Sequence, residues 1–286
     1  MIGDPCISAY GYRLYVGGIH MLTFQEVVVN PQTPTQSWKS IAHLCNLQEG
    51  ILVQENPNLR LVCISDTHCT HRNIELPEGD ILIHTGDATR GGTYQQIKDF
   101  LDWFSVQPFS HRIWISGNHD LTLQKDFYLQ NWRRFHAFHK EDPDAILALI
   151  HSYADVLYLQ DELVECAGLR IYGSPWQPTF FDWGFNAARG EEIAQKWSNI
   201  PIGIDILLTH GPPLGVGDLC NSGVRAGCAD LLHQIMYRIQ PRVHVFGHIH
   251  EAEGMWHNGH TQFINAAVCN TQYQYKNRPK VYSISR

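Results

Sequence analysis

The sequence predicts a layered α/β or α+β sandwich. Short apolar runs alternate with amphipathic stretches from Leu59 onward, the pattern of strands and helices packed in layers. Each run stops abruptly at polar or glycine residues, as strands that end in turns do. No self-similarity at a solenoid period competes with that reading. At 286 residues the chain can bury one full core, alone or with a small extension.

The elements follow in order. Tyr12 to Val16, then Gly17-Gly18, then an apolar stretch to Val29 predict a hairpin with a glycine turn. Residues 30–37, Asn30 to Ser37, are Pro-rich and polar and read as a linker. Residues 1–58 therefore form an N-terminal extension; an added sheet edge, an oligomer contact such as that of a homodimer, and a mobile arm all fit. Residues 59–286 form the main domain. Its predicted strands are Leu59–Ser65, Asp80–Thr85, His111–Ser116, Asp155–Leu159, Leu169–Ser174, Ile204–His210, Arg242–Gly247, Thr261–Asn265 and Lys280–Ile284. Thr93 with Gln96 resembles a capping box, and Ile97, Phe100, Leu101 and Phe104 fall on one face of the helix that follows. A second amphipathic helix runs from Ala229 to about Arg238 and buries Leu231, Leu232, Ile235 and Met236.

Composition narrows the function. Lys+Arg total 21 against 28 for Asp+Glu, a formal charge of -7, so duplex nucleic acid is a poor partner. Small anionic substrates are still compatible, because a bound metal reverses the field locally. The eight cysteines have no C-x-x-C spacing and read as free thiols in a reducing compartment. The N-terminus has no basic stretch followed by an apolar run, and no segment is long and apolar enough to span a membrane. A cytoplasmic location is expected.

The chemistry lies where the polar residues fall. Asp66-Thr67-His68, Gly86-Asp87 and Gly117-Asn118-His119-Asp120 close the first three strands. Thr209-His210-Gly211 and Gly247-His248-Ile249-His250 close two later ones. Each fragment alone reads as a turn, a cap or a hydrogen-bonded core histidine. All five together, in order and each at a strand end, read as a site beyond the carboxyl ends of strands. Carboxylate, amide and imidazole donors suit hard-to-borderline cations and need no thiolate. Asp66 and His68 meet one ion if strand geometry persists through the motif. The same holds for His248 and His250, unless a loop sends them to different ions.

This ordered set resembles the calcineurin-like metallophosphoesterase superfamily. The runs Val62 to His68, Gly79 to Asp87, Arg170 to Trp176, Trp183 to Asn186 and Thr209 to Gly215 resemble its metallophosphoesterase-domain-containing (MPPED-type) branch. The resemblance covers Leu59 to the C-terminus. It implies an α/β (α+β) four-layer sandwich: two mixed β-sheets flanked by helices, with a binuclear metal site at strand C-terminal ends. It further implies Asp66, His68 and His250 on one ion, Asn118, His210 and His248 on the other, and Asp87 bridging. The ions would be Mn²⁺ and/or Fe²⁺/Fe³⁺, with Zn²⁺ or Mg²⁺ as alternatives. Some members of the branch carry Gly where this chain keeps His248. The extra carboxylate of the phosphoprotein phosphatase branch is replaced by Arg90.

Two adjacent cations lower the pKa of a shared water enough to supply hydroxide for in-line attack at phosphorus. Catalytic roles fall to Asp87 and to His119, which follows Asn118 and would serve the leaving group as general acid. A base could stack on the aromatic segment around Trp176, with Asn118, Arg90 or Arg189 reaching phosphate; a satellite hydrophobic cluster under a loop is the plainer reading of that segment. The expected substrates are small phosphodiesters, cyclic nucleotides (2′,3′- or 3′,5′-) foremost by resemblance. The competing functions are a nucleotide-binding or scaffold protein with weak turnover and a metal-dependent phosphomonoesterase or protein phosphatase.

Overall fold

Along Leu59–Ile64 the side chains alternate between two apolar surroundings, which only a strand covered on both faces permits. Leu61 and Cys63 enter one cluster with Ile171, Ile206 and Val245 of a second sheet. Val62 and Ile64 enter another with Phe100, Phe104 and Ile146 of helices. The same division recurs in the second sheet, where Leu207, Phe246 and Phe263 face Ile193, Trp197 and Leu231. The chain is therefore a four-layer sandwich, helix–sheet–sheet–helix, as the sequence resemblance implied.

The computed structural model describes residues 12–14 and 27–286. Strands β1 (Tyr12–Leu14) and β2 (Val27–Val29) pair antiparallel; the predicted turn at Gly17-Gly18 lies outside the described residues. Then come α1 (Pro34–Ile41), β3 (Gln48–Glu49), β4 (Leu59–Ile64), β5 (Ile81–Thr85), α2 (Tyr94–Phe104), β6 (His111–Ile115), α3 (Lys125–Phe135), α4 (Pro143–His151) and β7 (Val156–Leu159). The second half holds β8 (Glu162–Cys166), β9 (Leu169–Ser174), the short pair β10 (Gln177–Pro178) and β11 (Asn186–Ala187), α5 (Glu191–Ser198), β12 (Ile206–Thr209), α6 (Ala229–Gln234), β13 (Val243–Phe246), β14 (Gly254–His257), β15 (Gln262–Asn265) and β16 (Lys280–Ile284). One sheet runs β16-β4-β5-β6-β7 and the other β3-β14-β15-β13-β12-β9-β8. Both are mixed: β4 to β7 are mutually parallel with β16 antiparallel on β4, and β9, β12, β13 and β15 are parallel with antiparallel partners at either side.

Helix α2 begins as read, with Thr93 Oγ1 accepting from Gln96 N–H at 3.3 Å. The reciprocal half of the capping box differs: Gln96 Oε1 takes the Gly91 N–H instead. The second predicted helix is regular only to Gln234 and closes in a wide turn, Gln240 N–H reaching Ile235 O at 3.1 Å; Met236 is half-buried there.

The linker reading of residues 30–37 is corrected, because α1 starts inside them. Pro34 stands in the first turn, where the missing N–H costs nothing and the fixed φ suits a helix. Tertiary contact then holds the helix: Val29, Ile41 and Cys45 pack on Leu214, Ala229 and Leu232. Gln48 and Glu49 supply an added sheet edge on β14.

Trp38 of α1 lies flat against Gly215, which sits at φ +86. A Cβ there would stand 2.1–2.4 Å from three atoms of the indole, so any side chain must push α1 away. Gly215→Ala is therefore expected to destabilise the protein by about 1–3 kcal/mol, through overpacking and left-handed strain. Urea unfolding reads this as a lower midpoint, and an unchanged midpoint would refute the contact.

Candidate metal centre

The parallel strands β4, β5 and β6 of one sheet and β12 and β13 of the other all end towards the same place, and each delivers a polar loop there. These loops do not continue as strands. Asp66, His68, Asp87 and His248 have φ of 56°, 41°, 55° and 68°, the left-handed region that non-glycine residues seldom occupy. Four such residues in one place mark a functional site. They also correct the expected strand geometry: Asp66 and His68 converge through a tight left-handed turn, not through the i, i+2 alternation of a strand. His248 and His250 separate, each joining a different group.

Asp66, His68 and His250 form one group of converging ligand atoms, and Asp87, His210 and His248 form another. His250 Nε2 lies 3.2 Å from both Asp66 Oδ1 and His68 Nε2. Asn118 Oδ1 lies 2.9 Å from His210 Nε2, which puts it with the second group. Between the groups stands Asp87, whose Oδ2 is 3.7 Å from His68 Nε2 and 3.5 Å from His210 Nε2. All seven predicted ligands are thus brought together, together with His119, which shares a third group with His68 and Asp87.

Hydrogen bonds fix what the imidazoles present. His68, His210 and His250 each direct Nδ1 at a backbone carbonyl, of Thr89, Thr85 and Asn270 respectively. A carbonyl only accepts, so each Nδ1 donates and each Nε2 carries a lone pair in the neutral ring. Those lone pairs face one another and the oxygens of Asp66, Asp87 and Asn118. Such convergence is repulsive unless cations lie among them. Two ligands about 2.1 Å from one ion and at right angles stand about 3.0 Å apart, close to the separations of 2.9 and 3.2 Å observed here. The donor set therefore fits a pair of metal ions. Burial lowers the His210 pKa, but the Asp87 carboxylate overrides it and raises the group to about 9. His250 is likewise raised, by its bond to Asp66 against the effect of burial. At His68 and His248 burial outweighs the opposing Asp87 and Asp66 charges and drives each down to about 3.

Asp120, given no role from sequence, ties the loops together. It is fully buried and accepts from Gly117 N–H, from Thr89 N–H and Oγ1–H, and from Ala88 N–H. Burial and the neighbouring Asp87 charge nevertheless push its pKa up to about 7. Its place as the fourth residue of Gly-Asn-His-Asp was the available signal. Two other buried histidines brace the ligand loops: His84 Nε2 meets Thr67 Oγ1 at 3.0 Å, and His244 Nε2 meets Thr209 Oγ1 at 2.8 Å.

Arg90 reaches the site, with Nε on His68 O and its own carbonyl receiving His119 Nδ1–H. Trp176 and Arg189, expected at the substrate, are not brought to it. The Trp176 indole donates to Asp161, and Lys196 Nζ covers its face at 3.5 Å. The Arg189 guanidinium is largely buried and bonds the carbonyls of Ala226 and Gly227. Trp183 of the same aromatic segment does reach the site, stacked on His119 at 4.0 Å between centroids. Tyr273, which sequence reasoning missed, packs edge-on against His68 at 4.5 Å; no motif surrounds it.

The calcineurin-like phosphoesterase profile matches residues 59–252, a stretch that includes every one of these ligands. The chain belongs to the calcineurin-like phosphoesterase family. It is 44% identical over 230 residues to metallophosphoesterase domain-containing protein 1 of Homo sapiens, covering 79% of this chain and 71% of that protein. Two UPF0046 proteins of Caenorhabditis elegans are also similar. One is 39% identical over 79% of this chain and 60% of its own length. The other is 36% identical over 90% of this chain and 95% of its own. The family acts on phosphoesters with a pair of divalent metal ions, and the candidate ligands here are in place for such a pair.

Gly117 offers a test that removes no ligand. A Cβ on it would stand 2.3 Å from Asp87 Oδ1 and 2.4 Å from Asp87 N, with backbone on one side and the Asp87 carboxylate on the other. Gly117→Ala is expected to lose bound metal, to below about half of wild-type content, in protein that stays folded. Elemental analysis after gel filtration measures this, and full metal retention would show that Asp87 is free to shift.

Proposed function

We propose that this chain is a binuclear metal-dependent phosphodiesterase for small substrates, cyclic nucleotides (2′,3′- or 3′,5′-) foremost. The observation that carries the reading is the convergence of Asp66, His68, Asp87, Asn118, His210, His248 and His250 beside a cavity of about 390 Å³ lined by Arg90, His119, Trp183, Gln272 and Tyr273. That volume falls within the range of roughly 300–1,000 Å³ usual for small-ligand sites. Asp66, His68 and His250 would hold one ion, Asn118, His210 and His248 the other, and Asp87 would contribute to both. The resemblance favours Mn²⁺ and/or Fe²⁺/Fe³⁺, with Zn²⁺ or Mg²⁺ as alternatives, and nitrogen and oxygen donors accept all of these.

The metal pair supplies a water of lowered pKa and neutralises charge on the phosphoryl oxygens. The protein's own groups do the rest. Asn118 Oδ1 and the Asp87 carboxylate fix the ligand frame on which the phosphate is oriented. Arg90 offers guanidinium N–H groups to a phosphoryl oxygen. His119 is held by its Nδ1–H bond to Arg90 O and by the stacked Trp183, which leaves Nε2 for the leaving oxygen. Arg90 in place of an acidic residue supports a diester substrate over the phosphoserine of the protein phosphatase branch. The described cysteines are all free and buried or half-buried, which supports a reducing, cytoplasmic setting.

Metal-stripped protein should hydrolyse an aryl phosphodiester only after Mn²⁺ is added, and faster than the matching monoester. His248→Ala should lose that turnover. His119→Ala should keep both ions yet lose on the order of 10²–10⁴-fold on a diester with a poor leaving group. Turnover confined to monoesters would reassign the protein as a phosphomonoesterase. Metal uptake with no turnover on either would reassign it as a nucleotide-binding protein.

A further inference from the structure

The loop after β15 carries a residue whose backbone is strained. Asn270 Oδ1 accepts from Gln272 N–H at 2.9 Å and Gln274 N–H at 3.0 Å, and Asn270 O accepts from Tyr273 N–H at 2.9 Å. This turn holds Tyr273 at φ +57, a costly conformation for a bulky side chain. The same Asn270 carbonyl receives His250 Nδ1–H, so one turn fixes both a candidate ligand and the tyrosine. The Tyr273 ring lies 4.5 Å from His68 and 5.7 Å from both His119 and His250, yet remains 40% exposed. It therefore has surface left for something outside the protein.

The cavity it borders has a distinctive lining. Arg90, His119, Trp183, Gln272 and Tyr273 include two large aromatic rings, an imidazole, a cation and an amide, and no aliphatic side chain. An alkyl group gains little from such walls. A flat ring gains stacking and edge contacts, and the Gln272 amide can read its polar edge. His119 identifies which part of the substrate enters. As the phosphorus–oxygen bond to the leaving group breaks and a bond from water oxygen to phosphorus forms, the proton on His119 passes to the departing oxygen. The proton of the water goes to solvent. Whatever fills the His119 cavity is therefore attached to the leaving oxygen.

We infer that Tyr273 is a specificity-determining residue. With Trp183 and Gln272 it holds a planar aromatic portion of the leaving group, so the site prefers aryl and nucleoside phosphoesters to alkyl ones. The inference rests on the phosphodiesterase reading above.

The test uses the full chain loaded with Mn²⁺ and two inhibitors of aryl phosphodiester turnover, phenylphosphonate and methylphosphonate. Neither has a leaving oxygen on its carbon substituent to be hydrolysed. Wild type should bind the phenyl compound at least about fivefold more tightly, the low end of what aromatic stacking contributes. Tyr273→Ala should reduce that preference to within about twofold, with methylphosphonate inhibition and metal content unchanged, and Tyr273→Phe should keep it. Equal weakening of both inhibitors in Tyr273→Ala would overturn the inference, since it would show a general effect through His68 and His250. So would a wild type with no preference. Failure of the underlying reading looks different: Mn²⁺-loaded wild type would show no turnover, and calorimetry would detect neither phosphonate.

Discussion

A carboxylate taken out of water is costly unless donors or cations surround it. Asp66, Asp87 and Asp120 are 0%, 2% and 0% exposed, and they lie within a few ångströms of one another's hydrogen-bond partners. Each is compensated differently. Asp66 accepts from His248 N–H and faces His250; Asp87 accepts from His119 N–H and faces His68 and His210; Asp120 takes only backbone and hydroxyl donors. Apart from the Gly117–Asp120 bond, each of these joins loops from different strands. The compensation of buried charge is therefore also what welds the ligand loops into one frame, and cations complete it. A site built this way is rigid before substrate arrives, because no ligand can move without exposing a buried carboxylate to an unpaired state.

That frame requires backbone to come as near to the ligands as their own side chains. A Cβ on Gly247 would lie 2.1 Å from Asp66 Oδ2, and one on Gly86 would lie 2.5 Å from His210 Nδ1. The glycines in Gly-Asp, Gly-Asn-His-Asp and Gly-His-x-His are thus spatial requirements and not merely turn formers. Neither sheet could make the centre alone. Asp66, Asp87 and Asn118 come from one and His210, His248 and His250 from the other, so the apolar contact between sheets through Ile83, Ile115, Ile206 and Val245 sets the distance between the two halves of the site.

What could be read from sequence was what local physics controls. Runs such as Ile81–Thr85 and Val243–Phe246 are buried on both faces and read as continuous apolar strands, and the ligands stand immediately after them. The face of α2 was legible because Ile97, Phe100, Leu101 and Phe104 repeat at helical spacing. Two strands with little burial were not. Glu162–Cys166 is largely exposed and Gly254–His257 half-buried throughout, so neither carries an apolar signature. Helix α1 was hidden in a Pro-rich stretch because packing on residues about 180 positions away decides it. Tyr273 escaped for a related reason: its partners are chosen by the meeting of loops, which no spacing records.

Arg189 shows how a plausible sequence reading fails for a physical cause. A guanidinium beside an aromatic loop suggests phosphate binding, but this one is largely buried, and burial lowers its pKa. Its N–H groups are spent on Ala226 and Gly227, while its own carbonyl accepts from Gln32 Nε2 at 2.7 Å. Residue 225 extends the same brace, with Arg225 N–H on Thr35 Oγ1 and its guanidinium on the buried Asp218. Asp218 in turn accepts from Gly215 N–H and Gly227 N–H, closing both ends of the loop that leaves His210. The described residues before Leu59 thus buttress the loop between His210 and α6. What those residues add to the site is mechanical, support for the loop that leaves His210, and packing of that kind needs no catalytic motif.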